Sequence, residues 1–442
     1  MKQKLIFLFV LALLFSSIAP PLISHAQDGQ TGGQANGQNL KDKLTGIVVN
    51  PGGVQRLGTA DFLSGLGATP ADVANFNEVL LNDLKFAGVI DIVGKSLYPK
   101  KGLATPAEFK PEEWAADPVK LDYLAFGRVV EGQIEAYLYD VKTKDSLISK
   151  TYRVDSIRKV AHQFADDILK KLFNIDGIAS SKIAFTDGKN ILMMDYDGFG
   201  QRALVRDGSY AILPSLSPDG SRLVYISYKT GRPTIEVHST GDGLPLGFAS
   251  FPRGTTSSPH YSPDSGRIAF ASSKDSDAME IYVANSDGNR ARRLTNNSGT
   301  IDTSPRWNPK TGKQLAFISD RTGSPQVYIM DDDGTNVQRV LNEGGQADSP
   351  AWSPDGQFIA YTWRPAGASS SDVYIMDIAT KQILQLTRGN GSNEAPAWAP
   401  DSRHITFQSN RTGRWEVWIM NIDGSSEIQV SKGGGRSPSW SK

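Results

Sequence analysis

Three acidic residues in the second half of the chain each precede a proline by two or three positions, and they are Asp302, Asp348 and Glu394. If the segments that carry them repeat around one axis, the three carboxylates lie around one opening. Carboxylates in that arrangement can hold a cation or bind the basic groups of a partner. The alternative is that they are solvated loop acids. We therefore predict no specific metal site. A cation bound in the channel near these three residues stays an alternative.

The remaining polar residues do not predict a catalytic centre. The sequence contains no G-x-S-x-G pattern, which excludes the nucleophile elbow of α/β-hydrolases. It contains no cysteine, which excludes thiol catalysis and cysteine-based metal sites. The four histidines after the predicted leader occupy positions typical of core or edge residues, and they are His162, His238, His260 and His404. We expect no catalytic residue, no cofactor and no enzymatic activity.

A run of three aspartates and a glycine, Asp331 to Gly334, resembles the start of a calcium-binding loop. An EF-hand loop needs a glycine at its sixth position and a bidentate glutamate at its twelfth. Those positions hold Asn336 and Asn342. The run is instead typical of a hairpin turn between two strands, like Asp287-Gly288 and Asp423-Gly424.

The elements that would position the three acids recur along the chain. Six prolines, which we call the repeat prolines, are each followed two residues later by a large apolar side chain, at spacings of 45, 46, 45, 46 and 42 residues. A period in this range, filled with short strands and turns, is typical of β-propeller blades. The pairs are Pro214/Leu216, Pro259/Tyr261, Pro305/Trp307, Pro350/Trp352, Pro396/Trp398 and Pro438/Trp440.

The two ends of this repeating part complement each other. Strands predicted at 182–186, 190–195 and 202–205 have no inner strand before them, whereas Pro438 to Trp440 begins a unit that does not continue. We therefore predict an all-β six-bladed propeller over residues 177–442. Its ring closes when the C-terminal strand pairs with the first propeller strands.

The N-terminus carries an export signal in residues 1–26. Lys2 and Lys4 precede an apolar run from Leu5 to Phe15, which is too short to cross a bilayer, and small residues follow. We expect cleavage after Ala26. Residues 27–40 are rich in Gly and Gln, and they predict a flexible segment.

Residues 41–176 predict a small α/β domain. Apolar residues with helical spacing predict a helix over 71–87 that stops at Gly88, and Ser156 is a suitable cap for a helix ending near Phe173. Strands are predicted between these helices, at 88–93, 121–130, 134–139 and 147–154. The chain thus combines an α/β N-terminal domain with a propeller.

Charge and hydropathy narrow the classes of partner. Basic and acidic residues number 47 each, which does not favour nucleic-acid binding. No stretch after the leader is apolar enough to insert into a membrane. We expect an exported monomer whose partners are proteins.

Several segments are similar to one bacterial family. They are "DYDGFGQRALV" from Asp195, "SPDGSRLVYISYKTGR" from Ser217, "ASFPRG" from Ala249 and "SPHYSPDSGRIAFASSK" from Ser258. "GIVVNPGG" from Gly46 also looks like the opening strand of that family. With the leader, the α/β domain and the propeller, the chain resembles the TolB family, the periplasmic component of the Tol-Pal envelope system of Gram-negative bacteria.

The resemblance implies a non-enzymatic adaptor in the periplasm. A member of this family binds the peptidoglycan-associated lipoprotein Pal over the channel mouth and engages TolA through its N-terminal segment. The role supports outer-membrane integrity and envelope constriction at cell division, with other outer-membrane-associated proteins as further partners. Position by position, the partner-binding residues would be Arg253, Gly254, Thr255, Ser258, Asp302, Thr303, Asp348 and Glu394.

Two other classes of protein use similar blades. In propeller-containing peptidases a propeller accompanies a hydrolase domain, but residues 41–176 are too few for one and lack the elbow. A carbohydrate-binding or small-ligand-binding propeller would use the mouth acids as its site. Recovery of a lipoprotein or of a glycan from envelope extracts distinguishes the adaptor from the last alternative.

Overall fold

The computed structural model describes residues 33–48, 55–341, 344–389 and 391–441. The predicted signal peptide, residues 1–26, lies outside the described residues, as does the start of the predicted flexible segment. Within the described ranges, no helix is long and apolar enough to cross a membrane.

The first helix, α1 (Gly33–Val48), lies where the sequence predicted a flexible segment and then a strand. Residues 33–40 were expected to be flexible and Gly46 to begin a strand, yet both lie in this helix. Leu40 and Leu44, one helical turn apart, are fully buried. Tertiary packing of this short apolar stripe thus stabilises a helix that its Gly-rich and Gln-rich composition does not favour.

The next part of the chain is a mixed sheet with helices. Its strands follow the order β3-β1-β4-β5-β6, and β2 pairs with β4. The strands are β1 (Arg56–Thr59), β2 (Leu63–Ser64), β3 (Asp91–Ile92), β4 (Tyr123–Val130), β5 (Gln133–Asp140) and β6 (Ser146–Arg153). The helices are α2 (Pro70–Ala87), α3 (Pro111–Ala115) and α4 (Ile157–Phe173). Helices α2 and α4 contact each other and the sheet.

The two long helices lie where the sequence predicts them, although α2 begins at Pro70, one residue before its predicted start. The Thr69 side chain accepts the N–H of Asp72 in a capping box, and Gly88 ends α2 in the left-handed conformation. The Ser156 side chain accepts the N–H of Lys159 at the start of α4. These caps fix the register of α2 and α4 on the sheet.

The remainder of the chain consists of antiparallel sheets. One sheet has six strands in the order β11-β10-β9-β8-β7-β28. Its strands are β7 (Lys182–Thr186), β8 (Gly188–Asp195), β9 (Arg202–Leu216), β10 (Arg222–Ser227), β11 (Thr234–Ser239) and β28 (Arg436–Ser441).

The other four sheets have four strands each, in chain order. The first two are β12 (Thr256–Tyr261), β13 (Arg267–Ser272), β14 (Glu280–Asn285), β15 (Arg292–Arg293), and β16 (Asp302–Trp307), β17 (Gln314–Ser319), β18 (Gln326–Asp331), β19 (Gln338–Arg339). The last two are β20 (Gly345–Trp352), β21 (Phe358–Pro365), β22 (Asp372–Asp377), β23 (Ile383–Gln385), and β24 (Asn393–Trp398), β25 (His404–Ser409), β26 (Glu416–Asn421), β27 (Ile428–Gln429).

The six strands that carry the repeat prolines form a closed ring. In the series β9, β12, β16, β20, β24 and β28, each strand contacts the next, and β28 contacts β9. Strand β28 also pairs antiparallel with β7, with Trp440 opposite Ile183. The indole Nε1 of Trp440 donates to Ser181 Oγ at 2.7 Å. The predicted pairing of the C-terminal strand with the first strands is therefore present in this propeller-like fold.

One sheet departs from the predicted four-stranded units. Strand β9 is continuous over 15 residues, so its first part pairs with β8 and its last part with β10. The unit expected to start at Pro214 is thereby joined in one sheet to the unit expected to combine the strands of residues 182–205 with the C-terminal strand. Beyond β11 the pairing continues only as the isolated bridge of His238 to Pro245, which is flanked by hydrogen bonds from the Ser239 N–H to the Leu244 carbonyl at 2.9 Å and from the Leu246 N–H to the Val237 carbonyl at 2.8 Å.

Candidate functional site

The inner strands share one unusual backbone feature beside each repeat proline. The residue before the proline has a left-handed conformation, with φ between 48° and 53°, although none of these residues is glycine. Each of these strands shifts register against its neighbour at this point. The six residues are Leu213, Ser258, Ser304, Ser349, Ala395 and Ser437.

This bulge directs two sets of side chains toward the axis of the ring. The residues two before and one after the repeat proline are mostly partly exposed, while their neighbours in the strands are mostly buried. The residues two before the repeat proline, which we call the outer set, are Ile212, Ser257, Thr303, Asp348, Glu394 and Arg436. The residues one after the repeat proline, which we call the inner set, are Ser215, His260, Arg306, Ala351, Ala397 and Ser439.

The three predicted mouth acids do not lie together. Asp302 is fully buried, and Arg321 Nη2 donates to both of its carboxylate oxygens at 3.0 and 3.1 Å. It stands three residues before its proline, whereas Asp348 and Glu394 stand two before theirs. Because successive strand residues face opposite sides, Asp302 points away from the channel. The expectation that Asp302 belongs to the mouth is therefore wrong.

Asp348 and Glu394 lie close enough to influence each other. Asp348 Oδ1 accepts the N–H of Ser349 at 2.6 Å, and burial raises the pKa of this carboxyl. Burial, followed by the charge of Asp348, raises the pKa of Glu394 to about 7. Gln408 Nε2 donates to Glu394 Oε2 at 3.1 Å, and Gln408 Oε1 accepts the N–H of Ser437 on the closing strand at 2.7 Å. The closing strand thus helps to position a mouth acid.

Basic residues stand beside these acids. Burial lowers the pKa of Arg306 to about 10, and the charge of Asp348 opposes that effect. Burial also lowers the pKa of Arg436, with Glu394 acting in the opposite direction. Among the described residues, no group of three or more His, Cys, Asp or Glu is placed to hold a metal ion. Arg306 thus lies within electrostatic range of Asp348, and Arg436 within that of Glu394.

The loop predicted to lie at the mouth, residues 253–258, is anchored to the turn that follows β13. Gly254 has φ 72°, and a Cβ there would lie 2.6 Å from the backbone nitrogen of Lys274. The N–H of Thr255 donates to Ser273 Oγ at 3.1 Å, while Arg253 is exposed. Ser258 is the left-handed bulge residue of β12, and Thr303 belongs to the same set of strand positions as Asp348 and Glu394.

Comparison with known proteins decides the family. The family model described as the TolB beta propeller domain, PD40, matches residues 169–442, more than half of the chain. The chain belongs to the TolB family. It is similar to the crystal structure of TolB from Acinetobacter baumannii, with 26% identity and a TM-score of 0.72, over 88% of this chain and 97% of that chain.

Curated TolB relatives match over shorter lengths. Tol-Pal system protein TolB from Anaeromyxobacter dehalogenans (strain 2CP-C) is 32% identical over 246 residues, which are 52% of this chain and 55% of that protein. Tol-Pal system protein TolB from Bordetella pertussis (strain Tohama I) is 30% identical over 43% of this chain and 47% of that protein. The chain spans about half the length of the curated relatives it matches.

The other sequence candidates lie outside this TolB-family mouth. The Asp331 to Gly334 run is the predicted turn between β18 and β19, closed by the Gly334 N–H to the Asp331 carbonyl at 2.9 Å. His162 and His404 are buried core residues, as expected. Sequence reasoning missed Arg306 and Arg436, and it did not place His260 in the channel. The signal that identifies them is their offset from the repeat proline: Arg306 and His260 each follow it by one residue, and Arg436 precedes it by two.

Proposed function

We propose that this chain is a non-enzymatic adaptor of the Tol-Pal system in the periplasm of Gram-negative bacteria. Its propeller binds the lipoprotein Pal at the channel mouth, and the complex supports outer-membrane integrity and envelope constriction at division. The observation that supports this proposal is the closed ring of inner strands, on which Thr303, Asp348 and Glu394 stand at equivalent positions. A rigid surface binds a partner with little loss of conformational entropy.

The proposal includes the blade count. The six inner strands mark six blades, and the six-stranded sheet counts as two of them joined by β9. The repeated left-handed residue before each repeat proline supports this count. On this view the mouth has six positions per level, one from each blade.

The proposal also assigns TolA to the N-terminal segment. Within the described part of this segment, Leu40 and Leu44 belong to a buried cluster with Phe358 and Trp398, and Lys43 Nζ lies 2.7 Å from Asp377 Oδ2. Those contacts join the segment to two propeller sheets. Coupling between the two partners is then reciprocal, because a shift in Pal affinity caused by TolA implies an equal shift in TolA affinity caused by Pal.

Calorimetric titration of Pal tests the mouth. Thr303→Arg places a long charged side chain at the mouth, and we expect it to weaken Pal binding by about tenfold or more. Val337→Arg is the matched control, since Val337 is 38% exposed and lies on the loop before the outer strand β19. A folded T303R protein that binds Pal with wild-type affinity contradicts the assignment.

Removal of residues 27–48 tests the second partner. We expect the truncated protein to lose TolA in a pull-down while its propeller still binds Pal. Titrating Pal onto the intact and truncated proteins then measures the coupling. Equal Pal affinities would remove the coupling, and retained TolA binding would remove the assignment of TolA to this segment.

A further inference from the structure

Arg306 is a charged side chain without a matching counter-ion. It follows the repeat proline Pro305 on β16 and faces the channel in the inner set. Within the described residues its guanidinium makes one hydrogen bond, from Nη1 to the carbonyl of Pro305 at 2.9 Å, and no ion pair. Its pKa of about 10 leaves it charged at neutral pH. Most of its N–H donors are therefore available to a ligand.

The nearest acid does not neutralise Arg306. Asp348 influences it only at a distance, and the carboxylate of Asp348 is already held by the N–H of Ser349 and the hydroxyl of Ser304, at 2.6 and 3.4 Å. A cation removed from water without a partner costs folding free energy. Such an arrangement is typical of a group that acquires its partner from outside.

His260 occupies the equivalent position on the adjacent inner strand, β12. Its Nδ1 is buried, and no hydrogen-bond partner reaches it among the described residues. Burial, followed by the charge of Arg306, lowers the pKa of His260 to about 3. The ring is therefore neutral at physiological pH and carries one N–H, and Nδ1 is its nitrogen without a partner. The Arg306 guanidinium and this nitrogen thus stand on adjacent inner strands, each one residue after its repeat proline.

We propose that Arg306 and His260 form a carboxylate-binding site inside the channel. The planar guanidinium offers two parallel N–H donors that match the two oxygens of a carboxylate, and the neutral imidazole supplies a third. The next two inner strands carry the small side chains of Ala351 and Ala397 at this offset from their repeat prolines. The carboxylate is either an acidic group of a bound protein or a small free carboxylate.

Histidine-detected NMR with acetate as the probe tests the site in the full chain. At constant ionic strength, with acetate replacing chloride, the His260 ring signals should shift saturably. Arg306→Gln should weaken acetate binding by about tenfold or more, and Arg306→Lys by less, because the ammonium lacks the fork. Arg290→Gln, an exposed arginine at a turn outside the inner strands, is the matched control. Unresponsive His260 signals, or an equal response in R306Q, would overturn the proposal.

A structural role for Arg306 predicts a different result. If Arg306 serves the fold, R306Q lowers the melting temperature and leaves the acetate response intact, which contradicts the site. If it serves a ligand, removing an uncompensated charge leaves the melting temperature unchanged or raises it. Should R306Q fail to fold, R306K and His260→Ala carry the same acetate titration, and undiminished binding in both would also overturn the site.

Competition with Pal identifies the source of the carboxylate, and this arm rests on the proposed function. If Pal supplies the group, R306Q weakens Pal binding and acetate competes with Pal for the wild-type protein only. If R306Q abolishes acetate binding and leaves Pal affinity unchanged, the occupant is a free carboxylate. Should Pal not bind at all, the proposed function fails while the acetate titration still decides the site.

Discussion

At the scale of single residues, His162 stands out because two carboxylates enclose it. Its Nδ1 lies 2.7 Å from Asp83 Oδ2, and its Nε2 lies 3.8 Å from Asp195 Oδ2. Burial alone would lower its pKa, but the carboxylates of Asp195 and Asp83 outweigh burial and raise the pKa to about 9. Since Asp83 belongs to α2 and Asp195 to β8, a protonated His162 holds the α/β part against the propeller.

This network predicts a specific dependence of stability on pH. The pKa of His162 is raised from its ordinary value of 6.5, so its stabilisation is complete below 6.5 and is lost as the pH rises through about 9. The free energy of unfolding that is lost across this window is on the order of 2–3 kcal/mol. The raised pKa of Asp83 makes this loss smaller than the shift of His162 alone would give.

Thermal melts between pH 6 and pH 10 measure this effect. The melting temperature of the wild-type protein should fall across this window more steeply than that of His162→Gln, which cannot be charged. His238→Gln is the control, because in the described part of the chain His238 has no carboxylate partner and its Nδ1 lies 2.9 Å from the carbonyl oxygen of Gly243. Parallel curves for the wild-type and H162Q proteins would exclude His162 as the titrating group.

At the scale of elements, the closing strand β28 connects both ends of the ring. Trp440 is 8% exposed and belongs to the same buried cluster as Ile183 and Phe164. Ser439 Oγ accepts the N–H of Leu216 at 3.0 Å, and Ser441 Oγ donates to the carbonyl of Ser217 at 2.6 Å. The strand therefore contacts β7 on one side and β9 on the other.

Deleting residues 437–442 should open the ring. Loss of the buried tryptophan alone costs about 3–5 kcal/mol, and the exposed edge of β7 adds to it. We expect the melting temperature to fall by about 10 °C or more. Removing Lys442 alone is the matched control. A melting temperature that stays unchanged after the six-residue deletion would contradict closure by β28.

The repeating strands were predictable because the repeat prolines and their apolar partners recur in one period. The continuity of β9 was not, since it depends on two neighbouring sheets meeting where the chain crosses between them. Helix α1 was missed because only the burial of Leu40 and Leu44 compensates for its composition. Asp348 and Glu394 occupy equivalent positions on their strands and stay predicted site residues, whereas Asp302 was misplaced because its offset from the proline differs by one residue, which reverses its face.

At the scale of the whole molecule, one hydrophobic core spans the α/β part and the propeller. Phe76 of α2, Phe164 of α4 and Phe185 of β7 belong to a single buried cluster. Phe86 at the end of α2 stacks on His404 of β25 with 4.7 Å between ring centroids. Because apolar and ionic contacts cross the same interface, the two parts should unfold together.

Weakening that interface should separate the two transitions. We expect one calorimetric transition for the wild-type protein and two for the double variant Asp83→Asn, Phe86→Ala, because the α/β part then loses the contacts that tie it to the propeller. Phe109→Ala is the matched control, since Phe109 packs on Phe126 and Tyr139 within the α/β part, at centroid distances of 5.8 and 5.0 Å. That variant lowers stability without splitting the transition.

The wild-type protein above pH 9 should begin to resemble the double variant, because deprotonated His162 no longer attracts Asp83 and Asp195. A single transition in D83N/F86A would mean that the hydrophobic cluster alone couples the two parts.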